Sequence, residues 1–124
     1  EQIEEFLPAL ALENYQRIPQ DHCKSNIWRK RGLNDGKIDW RMSAQSIHNL
    51  VRGLTKPYVG AFFEINGMKI KVWRTEIVRN KTMNIEPGKV LSVDKNGAIV
   101  KAGVDLIRLI KKGLVNNIQK GDYL

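Results

Sequence analysis

Residues 58–73 read Tyr-Val-Gly-Ala-Phe-Phe-Glu-Ile-Asn-Gly-Met-Lys-Ile-Lys-Val-Trp, and this stretch decides the fold of the 124-residue chain. Apolar and aromatic residues dominate as far as Ile65, and beyond Gly67 apolar residues alternate with lysines. The Asn66-Gly67 pair between them is the strongest short-range signal for a β-hairpin. Since apolar residues then recur at Trp73 and Ile77, we expect a change of register, such as a bulge, near Val72-Trp73.

A helix is predicted directly before this hairpin. Ser43 can act as its N-cap, because a serine hydroxyl accepts hydrogen bonds from the free N–H groups of a first helical turn. Four apolar residues then follow with helical spacing, namely Ile47, Leu50, Val51 and Leu54. Pro57 is expected to end the helix.

Turn signals divide the rest of the chain into short strands. Pro87-Gly88, Asn96-Gly97 and Gly103 separate predicted strands over residues 89–93, 98–101 and 106–111. Together with the hairpin these make five short strands joined by tight turns. The pattern predicts a mainly β fold with α, in which a helix precedes a small OB-like β-barrel.

The first 36 residues have a different character. Ile3, Phe6, Leu7 and Leu10 have the spacing of a helix buried on one face, although Pro8 should kink or shorten it. Residues 15–36 show little periodicity and read as a connector that is long for one compact domain. We therefore predict two regions, 1–36 and 37–124.

The charge of the chain is positive and uneven. The net charge is +8, but residues 1–14 carry four acids and no base, which leaves 21 bases and nine acids, or +12, on residues 15–124. Such a body favours RNA or phosphate groups as partners, with a merely solubilising surface as the alternative. The single cysteine, Cys23, excludes an internal disulfide and suits a reducing cytoplasm. No apolar run approaches the ~20 residues of a membrane span.

Signals for catalysis are weak. His22 and Cys23 are neighbours in sequence, so their side chains point apart, and His48 fits a polar position on a helix. The glycines are scattered at turns and form no phosphate-binding loop. The sequence therefore predicts no catalytic residue and no metal site.

Basic residues give the better candidates, for binding acceptor phosphate or RNA. Trp28 precedes the cations Arg29, Lys30 and Arg31 in the connector, where a solvated linker is the alternative. The remaining candidates are Lys37, at the start of the second region, and two lysines of the hairpin, Lys69 and Lys71. Lys69 and Lys71 share one face of a strand, and OB barrels often use such a face to bind single-stranded nucleic acid. The alternative is a solvent-exposed face whose charges protect an edge strand from pairing with another chain.

Seven short motifs, in order along the chain, resemble the C-terminal part of one enzyme family. They are Leu7-Pro8, Pro19-Gln20-Asp21, Ile38-Asp39-Trp40, the 47–54 helix, Pro57-Tyr58-Val59-Gly60-Ala61-Phe62, Pro87-Gly88-Lys89-Val90 and Gly121 to Leu124. The pattern is similar to that of formyltransferases related to methionyl-tRNA formyltransferase, including amino-sugar N-formyltransferases. Val59 stands where that family usually has proline.

The resemblance implies an enzyme that transfers a formyl group from formyltetrahydrofolate to a primary amine. The family's catalytic Asn, His and Asp have no counterpart here, so we expect them, and the folate, in an upstream α/β catalytic domain. Residues 1–36 would then be the end of that domain and its connector, and this fragment alone would be inactive. The domain would assist acceptor binding or assembly.

Two questions stay open from the sequence. The acceptor implied is a nucleotide-linked amino sugar or methionyl-tRNA, with a slight preference for the sugar because residues 28–31, 35–36 and 57–62 resemble the sugar-modifying branch. The alternative to the whole interpretation is a stand-alone basic OB-like module that binds nucleic acid.

Overall fold

The computed structural model describes residues 2–80, 84–110 and 118–124 of the chain. It divides into two compact units, Glu1–Lys30 and Arg31–Leu124. The predicted division into 1–36 and 37–124 concerns the parent enzyme and stays a prediction.

The first unit contains one helix and one short 3-10 turn. Helix α1 spans Gln2–Ala11 and extends three residues past Pro8. The 3-10 turn spans His22–Lys24, where the Asp21 carboxylate accepts a hydrogen bond from the Cys23 N–H at 3.0 Å. The helix is formed as the spacing predicts, and no residue of α1 is buried.

The second unit begins with another 3-10 turn, Leu33–Gly36, and then helix α2, Ala44–Gly53. Ser43 caps α2 as predicted, its hydroxyl accepting from the Ser46 N–H at 3.1 Å. Helix α2 ends at Gly53, and its C-cap residue Leu54 donates its N–H to the Leu50 carbonyl. Pro57 follows three residues after this cap, where a proline prevents the helix from continuing, as predicted.

The predicted hairpin is confirmed. Strand β1 spans Ala61–Ile65 and β2 spans Met68–Val72, antiparallel, with Ile65 opposite Met68. Asn66 and Gly67 between them have φ values of 50° and 72°, the positive values that a two-residue turn of this kind requires.

Four further strands form a separate antiparallel sheet. They are β3 (Thr75–Val78), β4 (Val90–Asp94), β5 (Gly97–Lys101) and β6 (Leu106–Ile110), and their order in the sheet is β3-β6-β5-β4. The predicted end of the last strand, Lys111, lies outside the described residues. An irregularity occurs in β4, between Val90 and Ser92.

Strand β3 was not predicted. The expected bulge near Val72-Trp73 is instead the end of β2, after which the chain enters the second sheet at Thr75. The apolar residue Ile77 therefore belongs to a new strand rather than to a continuation of the hairpin.

The mainly β class with helices is confirmed, whereas closure into a barrel is not seen. Within residues 2–80, 84–110 and 118–124 the strands form two sheets, the hairpin and the four-stranded sheet. Both sheets and α2 contribute to one core, in which the largest fully buried side chains include Phe63, Ile47, Ile107 and Leu109. Trp40 is buried and meets Phe63 edge to face, with ring centroids 5.8 Å apart.

Candidate functional site

The two histidines and the cysteine lie in different surroundings. The His48 ring nitrogen Nδ1 lies 2.9 Å from the hydroxyl of Thr75, which is buried, so this contact joins α2 to β3. His22 and Cys23 are both exposed. In the part of the chain that the structure describes, no three His, Cys, Asp or Glu residues are placed to hold a metal ion.

The basic cluster of the connector, Arg29-Lys30-Arg31, lies at the surface. All three side chains are exposed, and Trp28 before them is 76% exposed. The Trp28 indole N–H donates to the Asn26 side chain at 2.9 Å. The boundary between the two compact units falls between Lys30 and Arg31.

Lys37 and Lys69 come together on the hairpin. The Lys37 ammonium forms a 2.6 Å ion pair with the Glu64 carboxylate, and Glu64 is directly opposite Lys69 in the β1–β2 register. The ion pair with Lys37 lowers the pKa of Glu64. The Lys69 ammonium lies 4.2 Å from the centroid of the Phe62 ring. These two lysines therefore have intramolecular partners already.

Lys71 faces an aromatic ring instead. The Lys71 and Lys56 ammonium groups lie 5.7 and 5.8 Å from the centroid of the Trp73 ring, within the range of cation–π attraction. The Trp73 ring is half-buried against Gly60. The predicted strand-face pair, Lys69 and Lys71, thus contacts two different aromatic residues.

A cavity between α2 and β3 was not predicted. We call it the aromatic cavity: it has a volume of about 350 Å³ and is lined by Trp73, Val51, Thr55, His48, Arg52, Arg74, Thr75 and Glu76. The contact between His48 and Thr75 fixes its inner wall. It combines an indole ring with two arginines, Arg52 and Arg74.

A second cavity adjoins it and shares the residues Arg74 and Glu76. This basic cavity has a volume of about 490 Å³ and is also lined by Lys95, Asn96, Arg108 and Ile110. The Arg108 guanidinium pairs with Asp94 at 2.8 Å, which holds the pKa of that carboxyl below its ordinary value, with further help from the Asn96 N–H. A sequence signal did exist, since Arg108 is the one polar residue of the strand Leu-Ile-Arg-Leu-Ile.

Among the described residues, no helix is both long enough and apolar enough to span a membrane.

The comparisons with known proteins agree with this architecture. The chain is 38% identical over 104 residues to a methionyl-tRNA formyltransferase from Acetivibrio thermocellus, covering 84% of this chain and 33% of that protein. The chain therefore spans about a third of the length of the curated relative that it matches.

Solved structures show the same fold at lower identity. Two crystal structures of HypX from Aquifex aeolicus, one of a variant and one in complex with tetrahydrofolic acid, match with a TM-score of 0.54 and 16% identity. Each match covers 86% of this chain and 18% of HypX.

The family comparison covers most of the second unit. Residues 32–116 match the family described as "Formyl transferase, C-terminal domain". The matched range begins within two residues of the start of the second unit. Together with the 38% identical relative, this match confirms the resemblance noted in the sequence. The chain belongs to the family of formyl transferase C-terminal domains.

Proposed function

We propose that this chain is the non-catalytic C-terminal part of a formyltetrahydrofolate-dependent formyltransferase that formylates a primary amine. Its family and its coverage of only a third of a longer relative support an upstream catalytic domain in the same polypeptide. The tetrahydrofolic acid in the HypX crystal structure supports folate as the cofactor class. The folate would bind outside this fragment. The family membership also favours this reading over a stand-alone nucleic-acid module.

The exposed face of α1 supports the same arrangement. Four apolar side chains on one side of this helix are 47–63% exposed, namely Ile3, Phe6, Leu7 and Leu10. Covering such a row would remove apolar surface from water, which stabilises by about 25 cal/mol per Å². We propose that the upstream catalytic domain covers it.

The domain would assist by binding the phosphates of the acceptor, for which we propose a nucleotide-linked amino sugar. The observation that carries this proposal is the exposed cluster Arg29-Lys30-Arg31 beside Trp28. An arginine can hold a phosphate through two parallel charge-assisted hydrogen bonds, each worth about 1.5–3 kcal/mol when well formed.

The exposed thiol of Cys23 suits a reducing compartment, and we propose the cytoplasm.

Methionyl-tRNA is the second candidate acceptor. It is favoured by the 38% identity to a methionyl-tRNA formyltransferase and by the +12 charge of residues 15–124. A tRNA contacts many cations at once, so its binding should weaken steeply with salt, whereas a ligand with about two phosphate charges should show a shallow dependence.

The test uses the full-length enzyme with both acceptors over a range of salt concentrations. Substituting Arg29→Ala with Arg31→Ala should raise KM for the true acceptor and leave kcat nearly unchanged, as expected for lost uniform binding. Lys120→Ala, which removes an exposed cation outside the cluster, is the matched control. An unchanged KM for both acceptors at every salt concentration would show that the cluster is only a solvated linker.

A second test uses the 124-residue chain alone. We expect neither formyl transfer nor saturable folate binding, because the proposal puts both in the upstream domain. Calorimetric titration with a stable folate analogue measures this directly. Stoichiometric binding would contradict the proposed division of labour.

A further inference from the structure

The aromatic and basic cavities are lined by none of the basic residues that the sequence singled out as candidates. Their shared residues, Arg74 and Glu76, join an apolar space beside an indole to a space lined by cations. We call the two cavities together the two-part groove. A ligand that fills both parts must carry a flat apolar ring at one end and negative charge at the other.

The backbone fixes the position of the junction. The Arg74 carbonyl accepts a hydrogen bond from the Ile110 N–H at 3.0 Å, and the next residue, Thr75, pairs with Leu109 in the sheet. Glu76 is directly opposite Arg108 in the same register. Glu76 therefore lies within the four-stranded sheet, and Arg74, which directly precedes β3, is joined to the end of β6 by a backbone hydrogen bond.

The aromatic cavity has the features of a site for a planar ring. The six-membered ring of the Trp73 indole packs against the backbone at Gly60, which restricts its movement. Val51 and Thr55 of the α2 region also line this cavity. The volume of the cavity, about 350 Å³, falls within the range of small-ligand pockets. Lys56 and Lys71 near the indole add attraction for an anionic ligand.

The basic cavity has the features of a phosphate site. Arg74, Lys95 and Arg108 line it against one carboxylate, Glu76. Arg108 is held in place by its 2.8 Å ion pair with Asp94, and that pair occupies only one of its two terminal nitrogens, Nη1. An arginine held in this way loses little side-chain freedom when it binds phosphate oxygens.

We propose that the two-part groove binds a nucleoside diphosphate, with the base beside Trp73 and the phosphates among Arg74, Lys95 and Arg108. The choice of a nucleotide among ring-bearing anions rests on the proposed acceptor class. Glu76 at the junction can accept hydrogen bonds from ribose hydroxyls. The same carboxylate would repel a phosphate there, which disfavours a continuous RNA backbone running through both cavities.

The experiment titrates the 124-residue chain with the diphosphates of uridine, thymidine, guanosine and adenosine, following heat and tryptophan fluorescence. At least one should bind with a stoichiometry of one, and its nucleoside and inorganic pyrophosphate should each bind about tenfold or more weakly, since each fills only one cavity. A nucleotide sugar with the same base should bind as tightly as the diphosphate if only the nucleotide is recognised. Absence of saturable binding for all four diphosphates would overturn the proposal.

Variants test the assignment of each cavity. Arg74→Gln with Lys95→Gln should weaken the best-binding diphosphate at least about tenfold and leave its nucleoside unaffected. Arg79→Gln, an exposed arginine that lines neither cavity, should change nothing. Trp73→Leu should weaken the nucleoside and leave pyrophosphate unaffected, and far-ultraviolet circular dichroism checks that each variant is folded. Pyrophosphate binding as tightly as the diphosphate, or a 12-nucleotide RNA displacing it at lower concentration, would contradict the assignment.

The groove and the proposed function can fail separately. If the full-length enzyme formylates only methionyl-tRNA while the chain still binds a diphosphate through Arg74, the acceptor proposal fails and the groove stands. If the enzyme accepts a nucleotide sugar with a KM that depends on Arg29 and Arg31, but the chain binds no diphosphate, the groove assignment alone is wrong.

Discussion

Replacing Gly60 by alanine should damage both the stability of the second unit and the aromatic cavity. Gly60 has a φ of +81°, and a Cβ built there would lie 2.8 Å from Cη2 and 2.9 Å from Cζ3 of the Trp73 indole. Gly67 is a matched control, because its φ is +72° and a Cβ there meets no atom within 4 Å. Both substitutions strain the backbone, but only alanine at position 60 places a Cβ too close to an aromatic ring.

The magnitude follows from two separate costs. An alanine in the left-handed region costs about 1–2 kcal/mol, which should be the whole effect at Gly67. Distances below 3.0 Å require the indole to move, and overpacking of this kind costs about 1–3 kcal/mol more. We therefore expect Gly60→Ala to lower the free energy of unfolding by about 2–5 kcal/mol and Gly67→Ala by about 1–2 kcal/mol.

Urea denaturation of the chain and its variants, followed by fluorescence and circular dichroism, measures both losses. The same measurement in a Trp73→Leu background removes most of the obstruction, so Gly60→Ala should there cost no more than Gly67→Ala. The coupling between the two sites should be about 1–3 kcal/mol, the overpacking cost itself, which lies within the range of about 0.5–3 kcal/mol found for residues in contact. Equal losses for the two glycine variants in the wild-type background would refute the claim that the indole is held against Gly60.

Three further predictions concern other parts of the second unit. Gly103→Ala should lower the free energy of unfolding by about 2–4 kcal/mol in urea titrations, because its Cβ would lie 2.0 Å from the Arg41 carbonyl oxygen. Phe63→Ala should cost about 3–5 kcal/mol in the same assay, since this ring is only 1% exposed. Arg41→Gln should raise the pKa of Asp39 from about 2 toward its ordinary value of 3.8, as measured by NMR titration, because the hydrogen bond from the Arg41 side chain is the main cause of the lowered value. Since that pKa is lowered on folding, the contribution of Asp39 to stability is present above about pH 4 and is lost as the pH falls toward 2.

The parts of the fold that sequence reasoning predicted are those with strong local causes. The Asn66-Gly67 turn has positive φ at both residues, and Ser43 caps α2, so one or two residues determine each feature. The mainly β class followed in the same way from regularly spaced turns. Local chemistry was sufficient in these places because tertiary packing agrees with it.

Features that depend on distant partners were not predictable. The end of β2 depends on the packing of Trp73 against Gly60 and on the pairing of Thr75 with Leu109, which is 34 residues away in sequence. The apolar spacing of α1 predicted its helix correctly but could not show that no residue of that helix is buried. The two-part groove could not be predicted from sequence for the same reason, because its walls come from α2, β3, the β4–β5 turn and β6.

The same strands that build the core also position the groove. On β6, Ile107 and Leu109 are buried in the core, while Arg108 between them lines the basic cavity, because successive side chains of a strand point to opposite faces. On β3, Thr75 is buried and Glu76 is exposed at the junction of the two cavities. Substitutions at Arg108 or Glu76 should therefore change the lining of the groove with little change to the core.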